Sequence, residues 1–269
     1  MNGIIFAGCS FTHGHGLWFY NKKIYQKYFL DDTVDNIVNE RHHHAFKLKD
    51  IFRFPRLVSY ELERFEITKY EFSGNDVESV DFINFIFDFS KKNDSWHTNH
   101  HKFDEVDYII LQTSYPERCG VFINERDRIF LSPYDINDTY EMLKNYHINS
   151  IDDFKKKSIQ QNFERIKKNF MFYENKGIPC FILNLTNDYD DLIESDEFMS
   201  KRKIKINYDN NVFNNLKETF MYDKSLLICG DYEYFGENPP VDQHPSKKFH
   251  RVIADNIIKK IREYEKNNQ

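Results

Sequence analysis

Short apolar runs punctuate the chain, and stretches of helical periodicity separate them. Residues 4–7 (Ile-Ile-Phe-Ala), 67–72, 108–111 (Tyr-Ile-Ile-Leu), 180–183 (Cys-Phe-Ile-Leu) and 226–229 (Leu-Leu-Ile-Cys) predict five strands. Apolarity that is continuous rather than alternating fits strands covered on both faces. Between them, Pro55 predicts the first turn of a helix carrying Leu57, Val58, Leu62 and Phe65. Asp76 predicts the cap of a second helix, with Val80, Ile83 and Phe87 along one side. Ile159, Phe163, Ile166, Phe170 and Tyr173 keep helical spacing up to Gly177, placed where a helix C-terminal glycine belongs. Ser246 predicts the cap of a last helix with Phe249, Ile253, Ile257 and Ile261 on its inner face. This alternation predicts one α/β domain over residues 1–269 with a mostly parallel sheet. Residues 18–52, 113–150 and 186–224 break the pattern and read as insertions of the kind that form lids or binding surfaces.

Composition narrows the function classes. The 269 residues carry 37 Lys and Arg against 43 Asp and Glu, a net charge of −6, which argues against a nucleic-acid partner. No run of about 18 apolar residues is present, so neither a membrane helix nor a membrane partner is expected. The N-terminus has no basic segment of a secretory signal. Cys9, Cys119, Cys180 and Cys229 show no C-x-x-C spacing, which suits free thiols in a reducing compartment, and a cytoplasmic location is the expectation. With nine glycines in the chain, each one carries information about backbone demands.

The first strand runs directly into Gly8-Cys9-Ser10-Phe11-Thr12-His13-Gly14-His15-Gly16. Ligands of open parallel sheets bind beyond the carboxyl ends of the strands, so Ser10 stands where a nucleophile works. Read alone, the segment is a strand-to-helix turn. After the fifth predicted strand comes Asp242-Gln243-His244-Pro245-Ser246, whose Asp and His, two residues apart, can supply an orienting carboxylate and a base. Read alone, this is a polar loop before a capped helix. Taken together, the two segments favour a catalytic set, with no metal or cofactor expected. His42-His43-His44 and the group His97, His100 and His101 lack an accompanying Cys or paired-carboxylate signature and read as solvated histidines. Trp18, Phe19 and Tyr20 read as core aromatics. The basic residues of 155–157 and 201–205 read as solvated surface.

The ordered blocks resemble those of the SGNH (GDSL-type) hydrolases. Gly8-Cys9-Ser10-Phe11-Thr12 is similar to the first block, Ser73-Gly74-Asn75-Asp76 to the second, and Asp242-Gln243-His244-Pro245-Ser246 with His250 to the last. The resemblance implies a flavodoxin-like, three-layer α/β/α fold with a five-stranded doubly wound sheet. It implies an esterase or deacetylase working through an acyl-enzyme, with Ser10 as nucleophile, His244 as base and Asp242 as its orienter. The backbone amides of Ser10 and Gly74 would form the oxyanion hole. The third block departs from the family: where an Asn is usual, the chain reads Leu111-Gln112-Thr113-Ser114, so Gln112, Thr113 or Arg118 would substitute as donor. His13, His15, Asn75 and Arg118 would line a pocket for a small-molecule or glycan ester. Two alternatives use the same fold: a carbohydrate O-acyltransferase and a non-catalytic binding or structural protein. An α/β-hydrolase fits less well, because Thr12 occupies the last position of G-x-S-x-G and the serine follows the first strand. No signal of an oligomeric state is present.

Overall fold

A computed structural model describes residues 2–9, 12, 17–20, 52–68, 76–89, 100–115, 121–122, 128–129, 148, 150–237, 239–240 and 242–268. The strands are β1 (Gly3–Ala7), β2 (Phe65–Thr68), β3 (Val106–Gln112), β4 (Val121–Phe122), β5 (Arg128–Ile129), β6 (Cys180–Leu183), β7 (Ile206–Tyr208) and β8 (Asn211–Phe213). The longer helices are α1 (Phe54–Glu61), α2 (Asp76–Ile86), α3 (Ile151–Glu174), α4 (Leu216–Tyr222) and α5 (Lys247–Asn267). Four strands form a parallel sheet in the order β2-β1-β3-β6, and β4-β5 and β7-β8 are separate antiparallel pairs.

The continuous apolar runs mark a sheet covered on both faces. Ile4 and Phe6 of β1, Tyr108 and Ile110 of β3, and Phe181 and Leu183 of β6 enter one core with Val58 of α1 and Phe249, Ile253 and Ile257 of α5. Ile5, Ala7, Ile109, Leu111, Cys180 and Ile182 enter the other, with Val80 and Ile83 of α2 and Phe163, Ile166 and Phe170 of α3. Side chains alternate across a strand, so a run apolar at every position serves two helical layers at once. Fully burying a residue such as Phe6 or Ile110 contributes about 1.5–3 kcal/mol.

Pro55, Gly177 and Ser246 mark helix ends as predicted, whereas α1 stops at Glu61 so that Phe65 opens β2, and Asp76 is the first residue of α2 rather than its cap. Pro55 lies in the first turn of α1. Ser150 caps α3, accepting the Asp153 N–H, and Gly177 follows that helix with φ 84°. Ser246 caps α5, accepting the Phe249 N–H at 3.3 Å.

Two further expectations are corrected. Residues 226–229 do not form a fifth sheet strand. The run is split into 3₁₀ turns, Lys224–Leu226 and Ile228–Gly230, and Leu227 makes one antiparallel bridge to Pro245. A Cβ at Gly230 would overlap the Lys224 carbonyl, so the chain turns too tightly there for a strand to continue. Residues 186–224, which read as an insertion, hold short helices at Asp190–Ser195 and Glu197–Ser200, the β7-β8 hairpin and α4. The basic group 201–205 is not all solvated. The Lys203 side chain is fully buried, with Nζ 2.9 Å from Asp190 and 2.8 Å from Glu194. Most of 18–52 and 113–150 lies outside the described residues.

Candidate active site

In the order β2-β1-β3-β6, the chain leaves β1 for one neighbour and later returns to its other side. The carboxyl ends of β1 and β3 therefore flank the point where the winding reverses, the usual ligand crevice of such a sheet. A buried polar network closes this edge. Gln112, the last residue of β3, donates from Nε2 to Cys9 Sγ at 3.0 Å, and its Oε1 accepts the Thr12 hydroxyl at 2.7 Å. The Thr113 hydroxyl donates to Asn184 Oδ1 at 2.8 Å and accepts the Leu185 N–H at 2.9 Å. Asn184 in turn donates to Asp190, the partner of Lys203. Asp76 accepts the Ser114 N–H at 2.5 Å and the Tyr189 hydroxyl at 2.8 Å. Thr12, Gln112, Thr113, Ser114, Asp76 and Asn184 are all buried. Buried polar groups need such partners, because an unmade bond there costs about 1–3 kcal/mol.

Gly8 makes this packing possible. A Cβ at Gly8 would overlap Thr12 Oγ1 and lie 2.9 Å from Gln112 Cβ. The glycine thus lets the segment after β1 close onto the end of β3.

Asp242 and His244 sit on the loop that enters α5. His244 Nδ1 lies 2.7 Å from Asp242 Oδ1, and the same oxygen accepts the His244 backbone N–H at 2.8 Å. A carboxylate can only accept, so Nδ1 carries the proton and Nε2 is the basic nitrogen of the neutral ring. The loop backbone is pinned by the run that replaces the fifth strand. Ile228 donates to the His244 carbonyl at 3.0 Å, Cys229 to the Asp242 carbonyl at 2.9 Å, and Ser246 to the Leu226 carbonyl at 2.7 Å.

Tyr20 ties this loop region to the N-terminal part of the chain. Its hydroxyl donates to Asp231 Oδ2 at 2.5 Å and accepts the Lys247 N–H at 3.2 Å. Burial pushes the Tyr20 phenol up, and its hydrogen bond to Asp231 adds to that, so the donor proton is kept. Leu17, Tyr20, Ile228 and Phe235 share one small core, so Tyr20 is the core aromatic the sequence suggested.

His250, one turn into α5, is fully buried. Its Nδ1 accepts the Phe54 N–H at 3.2 Å, an otherwise orphaned donor at the start of α1, and its ring stacks on Phe54. Its Nε2 has no partner among the described residues. Burial, with Arg53 and His244 nearby, lowers its pKa to about 3, so the ring is neutral.

The structure brings Asp242 and His244 together as expected. It turns the side chains of Gln112 and Thr113 inward, where Cys9, the Thr113 carbonyl and Asn184 use their donors. This corrects their reading as side-chain oxyanion donors. Ser10, Gly74, Asn75, His13, His15 and Arg118 lie outside the described residues. Sequence reasoning missed Thr12, Asn184, Tyr189 and Lys203. Polar residues directly beyond apolar runs were the available signal for Asn184. His100 Nδ1 lies 2.9 Å from the Phe85 carbonyl oxygen.

Compared with known proteins, the chain matches no family model, no curated protein and no solved structure.

Proposed function

We propose that the chain is a serine ester hydrolase of the SGNH type, with Ser10, His244 and Asp242 as its catalytic set. The observation that carries the reading is the Asp242–His244 pair, in which the carboxylate holds the Nδ1 proton and leaves Nε2 as base. The strand order supports the finer fold reading, because 2-1-3 followed by the next parallel strand is how a flavodoxin-like doubly wound sheet is laid out. Ser10 follows Cys9 directly, just past the carboxyl end of β1.

In this reading the Ser10 hydroxyl attacks an ester carbonyl while His244 Nε2 takes its proton. Asp242 stabilises the imidazolium that forms. The proton then passes to the departing alkoxide as the acyl-enzyme is made. Water, deprotonated by the same nitrogen, attacks the acyl group and releases a carboxylic acid and free Ser10. Because the Gln112 and Thr113 side chains are engaged within the fold, the oxyanion rests on backbone donors, the amides of Ser10 and Gly74.

Hydrolysis of short-chain p-nitrophenyl esters tests the assignment. Wild type is expected to turn them over, and Ser10→Ala to lose about 10⁴-fold or more in kcat. Equal rates in both proteins contradict the reading and favour a non-catalytic role for the fold.

A further inference from the structure

We propose that Gln112 is a positioning residue for the nucleophile, holding both sides of the segment that carries Ser10; the role rests on the hydrolase reading above. The Gln112 carboxamide makes three contacts. Nε2 donates to Cys9 Sγ at 3.0 Å and to the Thr113 carbonyl at 3.3 Å, and Oε1 accepts from the Thr12 hydroxyl at 2.7 Å. A carbonyl can only accept, so the Thr113 contact fixes which end of the amide is nitrogen and leaves Oε1 facing Thr12.

Cys9 and Thr12 bracket Ser10 in the chain. One side chain from the end of β3 therefore grips the segment on either side of the nucleophile. Cys9, Thr12 and Gln112 are each at most 1% exposed, so bulk water does not compete for these bonds. Gly8 supplies the space in which Thr12 and Gln112 meet. A side chain whose polar atoms are all engaged in this way does not touch substrate; it sets where its neighbours stand.

Displacing a reacting group by about 1 Å can cost 10²-fold in rate, so loss of the clasp is expected to lower kcat by roughly 10–100-fold. KM should stay at its wild-type value, since the clasp acts on the reacting group rather than on substrate binding. Gln112→Met keeps length and volume without the hydrogen bonds. Thr12→Val removes the hydroxyl, and Thr12→Ser restores it.

Steady-state kinetics on p-nitrophenyl acetate, with thermal melting as a check on folding, test the proposal in the full chain. The expected result is a lower kcat at unchanged KM in Gln112→Met and Thr12→Val, recovery in Thr12→Ser, and a double variant no worse than the poorer single. If Gln112→Met fails to fold, the two Thr12 variants decide. Folded variants with wild-type kcat, effects that multiply in the double variant, or a Thr12→Ser as slow as Thr12→Val overturn the clasp and leave the hydrolase reading standing. A wild-type protein that hydrolyses no ester, including the probes above, overturns both.

Discussion

At the carboxyl ends of β1 and β3, the hydrogen-bonding side chains of Thr12, Gln112 and Thr113 are turned into the protein, whereas the Asp242–His244 loop leaves a quarter of the His244 side chain exposed. The first region is held by side chains from distant parts of the sequence, down to the pair of Asp190 with the buried Lys203. The second is held mainly through its backbone, by three hydrogen bonds to residues 226–229. Side chains in the first region are part of what keeps the protein folded. Those in the second can be changed while the loop stays in place. Stability should therefore depend more on the first region than on the second.

The sharpest break is His244→Ala. Esterase kcat is expected to fall by about 10⁴-fold or more, while unfolding free energy changes by no more than about 1 kcal/mol, the worth of one hydrogen bond. Urea denaturation beside p-nitrophenyl acetate kinetics checks both. Asp190→Ala is the counterpart in the buried region. It takes one carboxylate from the Lys203 ammonium and strips the partner of Asn184 and Asn215. A loss of about 3–5 kcal/mol is expected in the same denaturation experiment. A variant as stable as wild type would show that this network does not carry the strand ends.

His250 adds a pH-dependent contribution to stability. Its neutral ring accepts the Phe54 N–H, and Arg53 and His244 disfavour its protonation. The unfolded chain takes up this proton below its ordinary pKa near 6.5, but the folded chain keeps the ring neutral down to about 3. The unfolded state therefore binds more protons in that window. The stability this group contributes is present above pH 6.5 and is lost as pH falls toward 3, by at most about 1.4 kcal/mol per pH unit. His250→Asn retains an acceptor and does not titrate. Denaturation midpoints of wild type and variant should converge between pH 6.5 and 4.5; parallel curves would contradict this role.

The smallest expected effect is at Ser246, which caps α5 directly after the loop. Ser246→Ala should cost about 1 kcal/mol in thermal unfolding. An unchanged melting temperature would show that the backbone bond from Ser246 to Leu226 holds the helix start by itself.

Local patterns carried the sheet. The run 180–183 is β6 to the residue, and the first and third strands extend the predicted runs by a residue or two. The run 226–229 was equally apolar, but a buried segment pinned to a loop has the same composition as a strand. The β7-β8 hairpin was legible in principle, because Asp209-Asn210 adopts positive φ at both turn positions, as two-residue hairpin loops demand. The candidate site was half legible. Asp242 and His244 are near neighbours in sequence, so their pairing could be anticipated. The partners of Gln112 and Thr113 lie 103 and 71 residues away, and no local pattern encodes such distances. Lys203 looked like surface because its neighbours are basic, and only the fold supplies the carboxylates that bury it.

Intact-protein and peptide mass spectrometry after treatment with a fluorophosphonate reads out the nucleophile itself. One adduct is expected, on Ser10, that forms in wild type and is suppressed in His244→Ala. No adduct on Ser10, or one that forms equally fast without His244, would contradict the assignment.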